Sequence, residues 1–349
     1  SLQQFINMNL ENLKLVLKEE PAYRFKQVWR AVFVDLIGSW DECTTLPKYL
    51  REKLNSEAPL ELKAEIFGSK NSESQKALLT FSDGVKIETV LLLHKDGRKT
   101  VCVSSQVGCT MGCKFCATGQ MGRERDLTAS EIVAQVLFFA RHLKIVKDEH
   151  PRVDNVVFMG MGEPFLNYDN VLAAIKILND KDGLNIGARH ISVSTCGIVA
   201  GIKKFAKEPL QLNLAISLHA PNDELRSSLM PVNRMFSLKE LFSAVDAYIA
   251  KTSRQVMFEY LMIEGVNDQV EHAEQLAEQL TKMMKSHLYI VNLIRYNPAG
   301  DAFRASNPAV IKKFRNLLMR QGIKVTERHT FGQDIAAACG QLAIKKQKE

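Results

Sequence analysis

No stretch of this 349-residue chain stays apolar over the ~20 residues that a bilayer-spanning helix needs. The opening residues, SLQQFINMNLENL, have neither the basic run nor the apolar core of a secretory signal, so the sequence reads as cytoplasmic and without a membrane partner. A disulfide framework is missing too. The seven cysteines are odd in number and three of them crowd into one stretch, a usage that points to metal-binding or catalytic thiols in a reducing compartment. There is no second CxxC and no HxxxH, so the paired knuckles of the usual structural zinc site are absent. Internal repeats and low-complexity tracts are lacking as well, which excludes solenoids and largely disordered chains. Neither sign of charge dominates: 46 Lys and Arg against 39 Asp and Glu leave a net charge of +7, a weak pointer to a polyanionic partner. What remains, with 46% hydrophobic residues, suffices for one large core domain and a smaller one.

Two regions differ in their patterning. Up to about residue 95 the chain shows short helical patterns, in AYRFKQVWRAVFVDL with Phe25, Val28, Trp29 and Val32 at helical spacing, and in LPKYLREKL. Two strand-like runs follow, KALLTFS and VKIETVLLL, joined at Asp83-Gly84, a strong hairpin signal. A second turn at Asp96-Gly97 leads into KTVCVSSQVG, which places a linker near residues 95–99. From there six strand-like runs, TVCVSSQ, NVVFMGM, HISVSTC, NLAISLH, VMFEYLM and IVNLIRY, are each followed by an amphipathic helical pattern. Apolar strands alternating with helices predict an α/β fold with a parallel sheet covered by helices, either doubly wound or curled into a partial barrel.

Polar residues and glycines gather where those strands end: Gly162 and Glu163 after the second, Ser194 in the third, Ser217 and His219 at the fourth, Asn297 after the sixth. Singly, each is an ordinary turn, cap or core residue. Jointly they fall on the one face where parallel βα folds build their sites. A carboxylate among glycines, Glu163, suits the ammonium group of a ligand that approaches the backbone closely.

The first strand runs into CTMGCKFCATG, with Cys109, Cys113 and Cys116. Zinc would need a distant fourth ligand. A cubane iron–sulfur cluster held by three thiolates instead leaves one iron open to an exogenous ligand.

These residues carry a resemblance. CxxxCxxC after a first strand, with Phe115 before the last cysteine and a GE pair after the second strand, resembles the radical S-adenosylmethionine (SAM) superfamily. TVCVSSQVGC, KFCATGQMG, FMGMGEPFLNYDNV, ISLHAPND, LRSSLMPVN and AACGQL resemble, nearly word for word, the RlmN and Cfr group of RNA adenine methyltransferases. The resemblance implies a partial (βα)6 barrel over residues 99–343, ending in a loop with a methyl-carrying cysteine. It also implies a small helical RNA-binding unit over 1–75, while the residues themselves read as a hairpin and linker region over 76–98 and a solvated tail over 344–349.

By the same resemblance Cys109, Cys113 and Cys116 hold a 4Fe-4S cluster, and Gly162, Glu163, Ser194, Ser217, Leu218, His219 and Asn297 contact SAM, of which two are used per turnover. Cys339 carries a methyl group, Cys102 is its disulfide partner, and Glu88 is the proton acceptor. The substrate implied is an adenine of 23S rRNA and, for RlmN, the adenosine beside the anticodon of some tRNAs. An external electron donor such as flavodoxin and a monomeric state are expected. Two positions depart from the pattern: Ala336 stands where an acidic residue is usual, and Arg295 stands where RlmN sequences often have proline and Cfr sequences arginine. The overall wording favours methylation of carbon 2, the RlmN reaction, over carbon 8, the Cfr reaction. Arg24, Lys26 and Arg30, with Lys203, Lys204 and Lys207, either grip RNA phosphates or form solvated helix faces. Cys196 is read as a buried hydrophobe.

Overall fold

The structure is a computed structural model that describes residues 10–68, 73–328, 331–332 and 335–343; the expected tail at 344–349 lies outside the described residues. It opens with three helices, α1 (Leu10–Val16), α2 (Ala22–Phe33) and α3 (Lys48–Glu57). Their apolar stripes close on one another around Leu13, Val28, Val32, Phe33, Leu50 and Leu54, with Trp40 fully buried among them. The Trp40 indole N–H donates to the Ala58 carbonyl at 2.8 Å, which satisfies the one polar atom of that ring.

Three strands follow, β1 (Lys63–Phe67), β2 (Ser74–Thr80) and β3 (Lys86–Leu93). The β2–β3 turn lies at Asp83-Gly84 as the sequence predicts, with Gly84 at φ 86°. β1 lies inside the segment expected to be helical. Its short alternating run, KAEIF, is largely exposed and carries too little apolar periodicity to be read as a strand.

The remainder alternates strand and helix: β4 (Lys99–Cys102), β5 (Gln106–Cys109), the short α4 (Ala117–Gln120), β6 (Gly122–Asp126) and α5 (Ala129–Ile145). Next come β7 (Asn155–Phe158), α6 (Tyr168–Leu178), β8 (Ile191–Thr195), α7 (Val199–Phe205), β9 (Asn213–Ser217) and α8 (Asp223–Leu229). The series ends with α9 (Leu238–Thr252), β10 (Val256–Met262), α10 (Val270–Thr281), β11 (Tyr289–Arg295), α11 (Pro308–Arg320) and β12 (Lys324–Glu327). Helices α5 and α9 begin with reciprocal caps, Thr128 with Glu131 and Ser237 with Glu240. All six predicted strands are present and pair in parallel in the order β4-β7-β8-β9-β10-β11. The polar KVTE run adds β12, a seventh parallel strand not anticipated from the sequence.

The expected linker at 95–99 is instead a tight turn. β3 pairs antiparallel with β4, Val90 opposite Cys102, so β1–β3 extend the barrel sheet into a single sheet of ten strands. This sheet curls. β7 and β12 are five strand spacings apart, about 24 Å if the sheet were flat, yet Arg328, next after β12, reaches the Met159 sulfur beyond β7 at 3.5 Å. A partial barrel is the shape that allows this contact. The helical unit rests against its outer helix α5, where Arg141 donates to the Leu60 carbonyl at 3.1 Å and Lys144 to the Asp35 carbonyl at 2.5 Å.

Candidate active site

The C-terminal ends of the parallel strands surround a cavity of ≈ 160 Å³. Its wall includes Cys109, Cys113 and Cys116, Gly162 and Glu163, Ser194, Ser217 and His219, and, from the far end of the chain, Cys339. A second, much smaller cavity of ≈ 30 Å³ adjoins it, sharing Met159, Ile294, Arg328 and Cys339 and adding Cys102 and Asn297. Eleven of the predicted site residues thus meet on one continuous space. Leu218 is fully buried behind it and contributes backbone: its N–H donates to the Glu259 carbonyl and its carbonyl accepts from Arg226. Glu88 lines neither cavity. Both its carboxylate oxygens are engaged, one by Lys76 Nζ at 2.8 Å and the other by the Ala343 N–H at 3.0 Å.

Cys109 ends β5, Cys113 sits in the loop and Cys116 is the N-cap of α4. The loop is drawn close by Gly108, whose φ is 78° and where an added Cβ would lie 1.9 Å from the Gly122 carbonyl oxygen. Burial pushes all three thiols up, Cys109 to about 11; the neighbouring Glu163 adds to this at Cys109, the other two thiols at Cys113, and Cys339 at Cys116. Three thiols, two buried and one half-buried, that resist ionisation in isolation suit a strongly cationic group that stabilises them as thiolates. Among the described residues no three His, Cys, Asp or Glu side chains converge on a single-ion site. One zinc ion would need all its ligands within about 2.3 Å of one point, whereas a cluster gives each thiolate its own iron.

Glu163 is 3% exposed and aims its carboxylate into the wall of the cavity. One oxygen accepts from the Phe165 N–H at 3.0 Å, the other from the Cys196 N–H at 2.8 Å, and burial still raises its pKa. A ligand cation is the group that would reverse that effect. Gly162 has φ 98°, and a Cβ there would meet Gln106 Cβ at 2.6 Å. Gln106 Oε1 accepts the Glu163 N–H at 2.8 Å, so the glycine lets Gln106 pack where it fixes the carboxylate.

His219 is buried and held neutral, its pKa pushed down to about 3 by burial and then by the Arg226 charge. Its Nδ1 accepts from the Leu261 N–H at 3.0 Å, which places the ring proton on Nε2 as a donor. The Phe115 ring sits edge-on to the imidazole at 4.9 Å. Asn297 donates to the Cys339 carbonyl at 3.3 Å. Cys102 is pushed to about 12 by burial and by the neighbouring Cys339.

Sequence reasoning missed Arg226, Arg328, Glu259 and Gln106. Arg226, 1% exposed, donates to the carbonyls of Leu218, Cys196 and Ser217 and to Asn233 Oδ1, tying the ends of β8 and β9 together. Arg328 lines both cavities, and its pKa is raised, chiefly by the neighbouring Cys339 and then by Glu259 and Cys102. Glu259 is in register with Ser217 and Asn292 across the sheet, accepts from Asn292 at 2.8 Å and leaves its other oxygen without a hydrogen bond. Of the basic residues considered for RNA, Arg30 pairs with Asp35 at 3.6 Å and Lys204 with Asp169 at 2.6 Å, while Lys26, Lys203 and Lys207 are exposed.

The model of the radical SAM superfamily matches residues 103–278. A probable dual-specificity RNA methyltransferase RlmN of Bacillus licheniformis is 46% identical over 346 residues, which cover 98% of this chain and 94% of that protein. A protein of the same description from Chloroflexus aurantiacus is 46% identical over 344 residues, covering 96% and 91%. Among solved structures, the crystal structure of a radical SAM methyltransferase from Sphaerobacter thermophilus superposes with a TM-score of 0.89 at 43% identity, covering 97% of this chain and 98% of that one.

Proposed function

Because the chain belongs to the RlmN family of radical SAM RNA methyltransferases, we propose that it methylates carbon 2 of an adenine in 23S rRNA. We extend the proposal to the adenosine beside the anticodon of some tRNAs. In this reading it acts as a cytoplasmic monomer supplied with electrons by an external donor of the flavodoxin type. Among the described residues no helix is long and apolar enough to cross a membrane. The observation that carries the reading is the meeting of Cys102, Cys339 and the three-cysteine loop on one connected pair of cavities, although 223 residues separate Cys116 from Cys339 in the sequence.

In this reading Cys109, Cys113 and Cys116 hold a 4Fe-4S cluster. Gly162, Glu163, Ser194, Ser217, Leu218, His219 and Asn297 surround SAM, with Glu163 on its ammonium group. When bound, the cluster and SAM supply an electron, a carbon-centred radical and, from a second SAM, the methyl group. The chain itself does the rest. Cys339, half-buried at the junction of the two cavities, offers the sulfur that accepts and carries the methyl. Cys102, buried in the adjoining wall, is the thiol that attacks the Cys339 sulfur, forms the disulfide and frees the methylated base. An adenine inside folded RNA reaches this mouth only if it is turned out of its stack, at about a few kcal/mol. The helical unit over residues 10–58, beside the mouth-bearing barrel, is the accessory part that would meet the rest of the RNA.

Nucleoside mass spectrometry of 23S rRNA treated with the anaerobically reconstituted enzyme tests the proposal. It expects 2-methyladenosine, lost in C339A. Formation of 8-methyladenosine would move the chain to the Cfr reaction, and absence of both would overturn the proposal.

A further inference from the structure

The residues flanking Cys339 are held at both ends by one buried ion pair. Lys76 on β2 and Glu88 on β3 have side chains only 11% and 7% exposed and meet at 2.8 Å. Beyond their mutual bond, Lys76 Nζ donates to the Ala336 carbonyl at 3.3 Å, three residues before Cys339. Glu88 Oε2 accepts from the Ala343 N–H at 3.0 Å, four residues after it. An ammonium can only donate and a carboxylate can only accept, so the pair matches the polarity of the two backbone groups it grips.

Between those ends the segment is tied to the cluster loop. Ala117 N–H donates to the Gly340 carbonyl at 2.8 Å and the Thr118 hydroxyl to the Leu342 carbonyl at 2.5 Å. Ala336 has φ 50°, a left-handed conformation that costs a residue with a Cβ about 1–2 kcal/mol. Such a conformation persists where surrounding contacts impose it, and Lys76 supplies one of those contacts.

We propose that the Lys76–Glu88 pair is a clasp that fixes residues 336–343 across the barrel mouth and so positions the Cys339 sulfur between the two cavities. In this role Lys76 and Glu88 are positioning residues, acting on the reaction through the backbone on either side of the methyl carrier, a role separate from the proton acceptance that the resemblance implies for Glu88. The proposal rests on the reading of Cys339 as that carrier.

Hydrogen–deuterium exchange of the full-length protein without RNA, read at peptides covering 336–343, tests the clasp. The fraction of Cys339 methylated after incubation with SAM, read by mass spectrometry, tests its consequence. K76M is expected to speed exchange of the Ala343 amide at least tenfold and to lower methyl loading, and K76R to recover both. The exchanged pair K76E/E88K restores the ion pair but turns a carboxylate toward the Ala336 carbonyl and an ammonium toward the Ala343 N–H. It is expected to remain as loose as K76M. Exchange in β8–β11 of the same samples reports general unfolding, and the nearly isosteric E88Q, expected to show a three- to tenfold effect, replaces K76M if that variant does not fold. Recovery of wild-type exchange by K76E/E88K, or unchanged exchange in K76M or E88Q, would overturn the clasp. A wild-type protein that never acquires methyl on Cys339 would instead overturn the functional reading, leaving the exchange measurement to decide the clasp.

Discussion

Arg226→Met should loosen the rim of the active site by an amount that follows from its bonds. The guanidinium donates at 3.1 Å to Leu218, 2.6 Å to Cys196, 3.0 Å to Ser217 and 3.0 Å to Asn233, all in the interior. Hydrogen bonds from a charged donor contribute about 1.5–3 kcal/mol each. Against this stands the cost of removing a charge from water, which shows as burial holding the guanidinium below its usual pKa. Methionine fills most of the same volume but leaves three carbonyls at the ends of β8 and β9 without donors. A net loss of roughly 3–5 kcal/mol is expected, to be read as a shift of the urea unfolding midpoint of the cofactor-free chain. Equilibrium dialysis of the reconstituted variant should show SAM bound at least tenfold more weakly, because Ser217 and Leu218 sit on the backbone that Arg226 secures. A loss below about 1 kcal/mol with unchanged SAM affinity would refute the reasoning.

Gly162→Ala forces Gln106 aside and with it the acceptor of the Glu163 N–H, so SAM affinity should fall at least tenfold while the fold persists; dialysis giving the wild-type value would count against this. His219 contributes a pH dependence whose sign is fixed by its pKa, pushed down to about 3 in the folded protein. The unfolded chain takes up a proton below about 6.5, so the stability associated with the neutral ring is present above that pH and is lost as pH falls toward 3. His219→Ala should flatten this acid limb of the urea midpoint. At pH 8 it should cost about 1–3 kcal/mol, because the Leu261 N–H loses its acceptor.

The sequence was informative where chemistry leaves a local trace. Strand periodicity located all six expected barrel strands, and strand-end position brought out Gly162, Glu163, Ser194, Ser217 and His219, which line one cavity. Resemblance added Cys102 and Cys339, whose isolated cysteines carry no pattern of their own. Arg226 stayed hidden because three of its four acceptors are main-chain carbonyls, which leave no mark on side-chain identity. Glu259 reads as one polar residue in an apolar strand, and its meaning depends on register with Ser217 and Asn292 in strands distant in sequence. The position of Glu88, away from the cavities, depends on Lys76 from the neighbouring strand and on Ala343 from the far end of the chain. The linker expected at 95–99 failed for a related reason: a turn between two strands of one sheet and a joint between two bodies share the same Asp-Gly signature.

The continuity of the ten-stranded sheet decides where this protein can be cut. A fragment beginning at Lys99 would retain every cysteine of the cavity walls, yet it would strip β3 from β4 and leave the backbone groups on that edge of Lys99–Cys102 facing solvent, while the opposite edge stays paired with β7. An exposed, apolar strand edge of that kind recruits other chains. Such a fragment would therefore be expected to accumulate as aggregates, and the antiparallel extension is a shield for the barrel's open flank as much as an attachment to it.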